Sequence, residues 1–184
     1  MRSLLLVVDM QNGFITSATE HIIPGVLRVI GRAISDEIPV ALTRFRNYPQ
    51  SGYVKWINWC RFMGSPEVDI CPSLSPYAGV VFDKGGYTAF TSEFEAFVHK
   101  ESIGRIFFCG VATDGCVLKS AVDAFERNIE PVIIRDACAS HAGSTIHDAG
   151  LLLASRFIGR YQLLEVDDIL GHGFGPASDY RRPR

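Results

Sequence analysis

The 184-residue sequence has no paired cysteine spacing, no block of basic residues and no long apolar run. Its 5 cysteines are an odd number, so neither a disulfide framework nor a cysteine-type zinc site is indicated. The sequence contains 18 basic and 20 acidic residues, and only the short tail "DYRRPR" collects positive charge. We interpret this tail as a solvated terminus. Phosphate backbones need clustered Lys and Arg, so nucleic acid is not expected as a partner.

Signals for membrane insertion or export are also lacking. The apolar run Leu4–Val8 is far shorter than the ~20 residues that a helix needs to cross a bilayer. Asp9 follows this run directly, which is not typical of a signal-peptide cleavage site. We therefore expect a cytoplasmic protein that makes no membrane contact.

What the chain does contain is a series of short apolar runs bounded by Gly, Pro, Asp or Asn. They are continuous in Val, Ile, Leu and Phe rather than alternating, which is typical of strands buried on both faces of a parallel sheet. The predicted strands are Leu4–Val8, Pro39–Thr43, Val80–Phe82, Ile106–Cys109, Pro131–Ile134 and Gln162–Val166.

Amphipathic patterns lie between most of these runs. The predicted helices are Val26–Glu37, Ser92–Lys100 with Ser92 as its N-cap, Asp114–Glu126 and Thr145–Phe157. Alternating strands and helices predict an α/β fold: a three-layer αβα sandwich around a parallel, roughly six-stranded, Rossmann-like sheet. Because no repeat or linker interrupts the pattern, residues 1–184 are expected to form a single domain.

The irregular part of the chain runs from Phe45 to Tyr77 and is rich in Pro and Gly. A short helix is predicted over Lys55–Met63, and both tryptophans, Trp56 and Trp59, fall in it. Long excursions in compact domains are often binding loops. The tryptophans are therefore expected either to cover a pocket or to pack the short helix.

Three chemically useful side chains follow strand ends. Ligands of open α/β sheets bind beyond the carboxyl ends of the strands, which is where Asp9, Lys84 and Cys116 fall. A thiol at the start of a helix is favoured as a thiolate, and nearby N–H groups can stabilise an oxyanion. Each residue also has a structural interpretation: a turn-capping Asp, a surface Lys and a packed Cys. Their convergence at one edge favours acyl transfer.

Several motifs in this order resemble the isochorismatase-like cysteine hydrolases, which include nicotinamidases and N-carbamoylsarcosine amidase. The matching stretches are "VVDMQNGF", "KGGYTAF", "GVATDGCVLKSAVDAFERN" and "PVIIRDACAS", followed by His147. The resemblance covers most of the chain.

The resemblance implies a catalytic triad of Cys116 as nucleophile, Asp9 as general base and Lys84 as the positive partner. It also implies a cis peptide bond at Val111–Ala112 and an oxyanion hole formed by the N–H groups of Ala112 and Cys116. The implied activity is hydrolysis of a small amide, carbamoyl or imide-like C–N bond through a thioester, with release of ammonia or an amine.

The sequence departs from parts of the family. Nicotinamidases carry an Asp-x-His…His metal site after the second strand, whereas this chain reads "TRFRNYPQSGYVKW" there, without histidine. We therefore expect no metal and no other cofactor, and nicotinamide is disfavoured as substrate. Isochorismatases proper cleave a vinyl ether without the cysteine, so the presence of Cys116 favours amide-type hydrolysis.

Six residues are candidates for substrate binding. Gln11 either shapes the pocket or orders its loop, and Phe14 either walls the pocket or packs the core. Arg44 and Asn47, with Arg46 nearby, either receive a polar substrate group or form a solvated loop edge. The remaining candidates are Tyr87 and Phe90, which are expected to line the pocket.

Other functions remain open on the sequence. A non-catalytic binding protein or partner subunit would use the same pocket, and an isochorismatase-type hydrolase would act on another small metabolite. A redox role for Cys116 lacks an evident resolving cysteine nearby in sequence. Family members commonly form homo-oligomers, so a dimer or tetramer is expected.

Overall fold

A computed structural model describes residues 1–180, so Arg181–Arg184 of the basic tail lie outside the described residues. The strands are β1 (Arg2–Val8), β2 (Val40–Phe45), β3 (Val81–Lys84), β4 (Ile103–Val111), β5 (Glu130–Ala139) and β6 (Leu163–Leu164). They form one parallel sheet in the order β3-β2-β1-β4-β5-β6. Every predicted run contributes a strand, so the predicted sheet is confirmed.

Burial of both faces of the sheet explains why the strands are uninterrupted runs of apolar residues. Leu4–Val8 of β1 are completely buried although successive side chains point to opposite faces of the sheet. Both faces are therefore covered. The helices are α1 (Ile23–Ser35), α2 (Gly52–Ile57), α3 (Ser92–Lys100), α4 (Leu118–Glu126), α5 (Ser144–Ala154) and α6 (Val166–His172). The predicted αβα architecture is confirmed.

Local capping accounts for where helices α2 and α3 begin. The short helix predicted over Lys55–Met63 is α2 instead, because the Ser51 hydroxyl accepts a hydrogen bond from the N–H of Val54. Asn58 then ends α2 in the left-handed conformation, with φ +51°. In α3 the N-cap is Thr91, one residue before the predicted Ser92.

Helix α6 is not predicted by the sequence analysis, which extends the last strand to Val166. The side chain of Asp168 accepts a hydrogen bond of 2.9 Å from the N–H of Glu165, and the two residues form a capping box. This reciprocal capping begins a helix where the sequence pattern predicts the strand to continue.

The strand order creates the edge on which the candidate site lies. The order reverses between β1 and β4, because β1, β2 and β3 run to one side and β4 starts on the other. Val8 pairs with Gly110 and Phe45 pairs with Lys84, so these strands end at one edge of the sheet. Within residues 1–180, no helix is long and apolar enough to cross a membrane.

Candidate active site

The three strand-end side chains meet at the carboxyl edge of the sheet. Lys84 Nζ lies 2.7 Å from Asp9 Oδ2 and 3.2 Å from Cys116 Sγ. The side chains of Asp9 and Lys84 are almost completely buried, and Cys116 is 9% exposed. One ammonium thus contacts both a carboxylate and a thiol out of bulk water.

Asp9 is held by the backbone turn at the end of β1 and by a neighbouring strand. Its φ of +47° lies in the left-handed region, which Asp tolerates better than most residues and which often marks functional sites. The Thr43 hydroxyl accepts a hydrogen bond of 3.1 Å from the Asp9 N–H and donates one of 2.7 Å to Asp9 Oδ1. The sequence analysis did not identify Thr43, whose only signal is a hydroxyl in an apolar strand.

The second carboxylate oxygen of Asp9 has a different environment. Oδ2 faces the Lys84 ammonium across the ion pair, but no well-directed hydrogen bond reaches it from the described residues. Lys84 Nζ donates instead to the carbonyl oxygen of Gly86, at 2.9 Å, and to Cys116 Sγ. Oδ2 therefore keeps a lone pair that can accept a proton.

Burial dominates the proton affinity of the thiol. It raises the pKa of Cys116 to about 12; the charge of Asp9 adds to this rise and that of Lys84 opposes it. For Lys84, burial lowers the pKa, but the charges of Asp9 and Cys116 outweigh it and the pKa is raised. The expectation that the helix start favours a thiolate is wrong at rest, because the desolvated thiol lies beside a carboxylate.

Cys116 lies on a single π-helical turn, Thr113–Val117, that precedes α4. The predicted helix over Asp114–Glu126 is therefore divided into this turn and α4. Gly110 has φ +111°, and a Cβ there would lie 2.2 Å from the carbonyl oxygen of Val8, so only glycine fits beside β1. The Val111–Ala112 peptide bond is cis, as the resemblance implies.

A cavity of about 280 Å³ opens beside Cys116. Phe14 and Tyr87, two of the residues predicted to bind substrate, line it. The full lining is Phe14, Phe45, Tyr53, Ile57, Trp59, Tyr87, Ala112, Asp114, Gly115, Cys116 and His141. The walls are mainly aromatic, and the sulfur of the candidate nucleophile lies among them.

Ring contacts hold this aromatic wall together. Phe14 stacks on Trp59 with ring centroids 6.4 Å apart, and Tyr53 meets Tyr87 edge-on at 5.2 Å. The sequence analysis did not single out Tyr53, Phe45, Ile57 or His141 as pocket residues. Burial raises the pKa of the Tyr53 hydroxyl, and the charge of Cys116 raises it further.

Two predicted substrate residues lie outside the cavity lining because they hold loops. Gln11 Nε2 donates to the carbonyl oxygens of Phe45 and Val68, both at 2.9 Å, which matches its loop-ordering alternative. Asn47 Nδ2 donates to the carbonyl oxygens of Trp59 and Arg61, both at 3.0 Å. Both amides thus position the aromatic wall and do not line the pocket.

Arg44 and Phe90 also lie away from the cavity. The guanidinium of Arg44 forms hydrogen bonds of 2.6 and 3.0 Å with Asp83 at the exposed sheet edge, so it does not receive a pocket ligand. Phe90 packs against Phe94. The guanidinium carbon of Arg127 lies over the Phe90 ring, 4.7 Å from the ring centroid. These contacts correct both substrate-binding predictions.

The two tryptophans differ in their position relative to the cavity. Trp59 is partly buried and lines the cavity, which matches its covering role. Trp56 is 85% exposed, and its side chain lies against Gly52 in the first turn of α2. Only one of the two can therefore contact a bound substrate in this geometry.

The end of β2 and the stretch after it do not fit a divalent cation. Arg44 and Arg46 both bind Asp83, and the Asn47 carbonyl accepts hydrogen bonds from Tyr48 N and Ser51 Oγ. Arginines repel cations, and this amide is already engaged. In the described part of the chain, His, Cys, Asp and Glu form no group of three or more that could hold a metal ion.

Comparison with known proteins identifies a family and several relatives. The family model described as the isochorismatase domain matches residues 3–160. Maleamate amidohydrolase from Pseudomonas putida is 26% identical over 80% of this chain and 76% of its own. Nicotinamidase/pyrazinamidase from Mycobacterium tuberculosis is 28% identical over 77% of this chain and 88% of its own.

A solved structure supports the fold. N-carbamoylsarcosine amidase from Thermoplasma acidophilum has a TM-score of 0.79 at 24% identity, covering 91% of this chain and 98% of its own. At that identity the likeness concerns the fold alone. With the family model spanning residues 3–160, the chain belongs to the isochorismatase domain family.

Proposed function

We propose that this protein is a metal-independent cysteine hydrolase that cleaves a small amide, carbamoyl or imide-like C–N bond. The observation that carries the proposal is the contact of Lys84 Nζ with both Asp9 Oδ2 and Cys116 Sγ beside a ligand-sized cavity. The names of the relatives, maleamate amidohydrolase and nicotinamidase/pyrazinamidase, support amide hydrolysis.

The proposed first half-reaction forms a thioester. Asp9 Oδ2 takes the thiol proton, and the sulfur of Cys116 attacks the carbonyl carbon of the substrate. The N–H groups of Ala112 and Cys116 stabilise the oxyanion. The C–N bond breaks, the leaving nitrogen takes the proton from Asp9, and ammonia or an amine departs.

The second half-reaction releases the acid. Asp9 takes a proton from water, the resulting hydroxide attacks the thioester carbon, and the same N–H groups hold the oxyanion. The C–S bond then breaks, and the Cys116 sulfur recovers the proton from Asp9. Because the resting thiol has a pKa of about 12, a base in contact with it is essential at neutral pH.

The lining supports an uncharged, flat substrate. No Lys or Arg lines the cavity among the described residues, while Asp114 adds negative charge at its mouth. The charge of Lys84 is already balanced by Asp9. A substrate carboxylate would meet the negative faces of aromatic rings and a carboxylate, so we propose that neutral amides are preferred.

The decisive test is a panel of neutral aromatic and aliphatic amides, ureido acids and maleamate-type acids, with ammonia release as the readout. Wild-type turnover of at least one neutral amide, together with a mass increase on Cys116 equal to the acyl group after rapid acid quench, supports the proposal. Absence of both with every compound would refute it.

The proposal includes a single domain, a homo-oligomer and a cytoplasmic location. Exposed apolar side chains on and just after α5 support self-association: Leu152 is 65% exposed, Leu153 44% and Phe157 51%. These residues belong to the amphipathic helix predicted over Thr145–Phe157, so their exposure in the single chain is consistent with burial against a second copy.

A further inference from the structure

A hydrogen bond joins helix α5 to the turn that carries the nucleophile. His147 Nδ1 lies 2.7 Å from Thr113 Oγ1, and Thr113 is 1% exposed. Thr113 directly follows Ala112 and begins the turn that ends at Val117, with Cys116 between them. A side chain of α5 is thus bonded to the segment between the two proposed oxyanion donors.

The backbone of α5 also touches this turn directly. A Cβ on Gly150 would lie 2.9 Å from both Cα and N of Asp114, which leaves no room for a side chain. Residues three apart share one face of a helix, so Gly150 and His147 contact the turn from the same side. The contact sets the distance between α5 and the turn, and the hydrogen bond restrains how the turn is oriented.

We propose that His147 is a positioning residue, whose hydrogen bond to Thr113 holds the nucleophile turn in the orientation that attack on the substrate requires. This role rests on the proposed hydrolase function. His147 acts through Thr113 and not on substrate, because it lines a separate cavity of about 260 Å³ that shares no lining residue with the active-site cavity.

The state of the imidazole suits this role. Burial lowers the pKa of His147, with His21 lowering it further and Asp148 and Asp114 opposing the change. A neutral imidazole has one donor and one acceptor nitrogen, and the Thr113 hydroxyl can serve as partner to either. The hydrogen bond is therefore available at neutral pH without a charge beside the turn.

Matched substitutions separate positioning from packing. His147→Leu and Thr113→Val remove the hydrogen bond, whereas His147→Asn keeps a polar atom at the Nδ1 position and Thr113→Ser keeps the hydroxyl. We expect the first pair to lower kcat by about 10- to 100-fold with KM nearly unchanged, since a small misplacement of reacting groups costs that much. The His147→Asn and Thr113→Ser variants should keep most of the wild-type kcat. The His147→Leu, Thr113→Val double variant should have a kcat no lower than that of either single variant.

His21→Leu is the control, because His21 lines the same second cavity and should leave kcat unchanged. Amide hydrogen exchange over residues 112–117 gives a readout independent of activity and should accelerate in the Leu and Val variants only. Wild-type kcat and exchange in His147→Leu would overturn the inference. So would equal loss in the Asn and Leu variants. If the wild type hydrolyses no amide but exchange follows the pattern, only the proposed function fails.

Discussion

The ammonium of Lys84 donates a hydrogen bond of 3.2 Å to the sulfur of Cys116, although the lysine is almost completely buried. Removing a charge from water is costly unless another charge and hydrogen bonds compensate for it. Here Asp9 supplies that charge at 2.7 Å, so the lysine stays protonated in contact with the thiol. Single substitutions of these residues should therefore reveal how the charges of Asp9 and Lys84 act on the thiol of Cys116.

The Cys116→Ala variant should lose essentially all amide hydrolysis, about 10⁶-fold, because no other group replaces the nucleophile. Removing the sulfur of a side chain that is 9% exposed should leave the fold intact, as circular dichroism will show. The control is Cys60→Ala, since Cys60 is an exposed free cysteine and should keep wild-type turnover. Full activity in Cys116→Ala would end the assignment of the nucleophile.

The Asp9→Asn variant should lose turnover and yet make Cys116 more reactive toward iodoacetamide. The charge of Asp9 raises the pKa of the thiol, so its removal lowers that pKa and increases the thiolate fraction at pH 8. Alkylation should be at least ~10-fold faster than in the wild type, whose rate climbs with pH toward about 12.

Removing the positive charge of Lys84 provides the matched comparison for Asp9→Asn. Lys84 lowers the pKa of Cys116, so Lys84→Met should slow alkylation at pH 8. Identical pH profiles of alkylation in the wild type and both variants would show that the three groups are not coupled. Opposed shifts would also argue against a passive binding protein, in which the thiol need not respond to Asp9.

Lys84→Met should destabilise the protein by about 3–5 kcal/mol, because the buried carboxylate of Asp9 loses its cation. Adding Asp9→Asn should recover most of that loss, since no uncompensated charge then remains. Urea unfolding measures both effects. The exposed pair Arg28–Asp167 is the reference, and Arg28→Met should cost less than about 1 kcal/mol. A double variant no more stable than Lys84→Met would contradict the pairing.

The two tryptophans give a matched test of the aromatic wall. Trp59 lines the cavity, so Trp59→Ala should raise KM for a neutral aromatic amide by about 10-fold through lost ring contact. Trp56 is 85% exposed, and Trp56→Ala should change neither KM nor kcat. Trp59→Phe should recover most of the affinity. Equal effects of the two Ala variants would remove Trp59 from the substrate site.

Self-association should depend on the exposed residues of α5. Light scattering should give a mass of at least twice the 20.3 kDa of one chain. The pair Leu152→Asp and Leu153→Asp should lower that mass, because it places charge on the apolar surface. Trp56→Asp, at another exposed site, is the control. A wild-type mass near that of one chain would refute the homo-oligomer.

Strand ends were the informative part of the sequence. Asp9, Lys84 and Cys116 could be located because parallel strands bring their carboxyl ends to one edge whatever the loops do. Tyr53 and His141 could not, since they lie on segments whose path depends on tertiary packing. The role of Asn47 was equally hidden, and that of Gln11 stayed one of two alternatives, because a sequence shows that an amide is present but not that backbone carbonyls engage it.

The pKa of the Cys116 thiol was also not predictable from the sequence. The position of Cys116 at a helix start predicts a stabilised thiolate, and that effect is modest at a helix terminus. Desolvation and the carboxylate of Asp9 are stronger and raise the pKa instead. Both depend on burial, which the local sequence around Cys116 does not reveal.

Tyr53, Ile57 and Trp59 all come from the long connection between β2 and β3, whereas Lys84 ends β3, Asp9 directly follows β1 and Cys116 lies on the turn that follows β4. The proposed catalytic residues and this part of the cavity wall thus come from different stretches of the chain. Exchanging that connection for another of similar length should redirect the enzyme toward new compounds while the reaction itself survives.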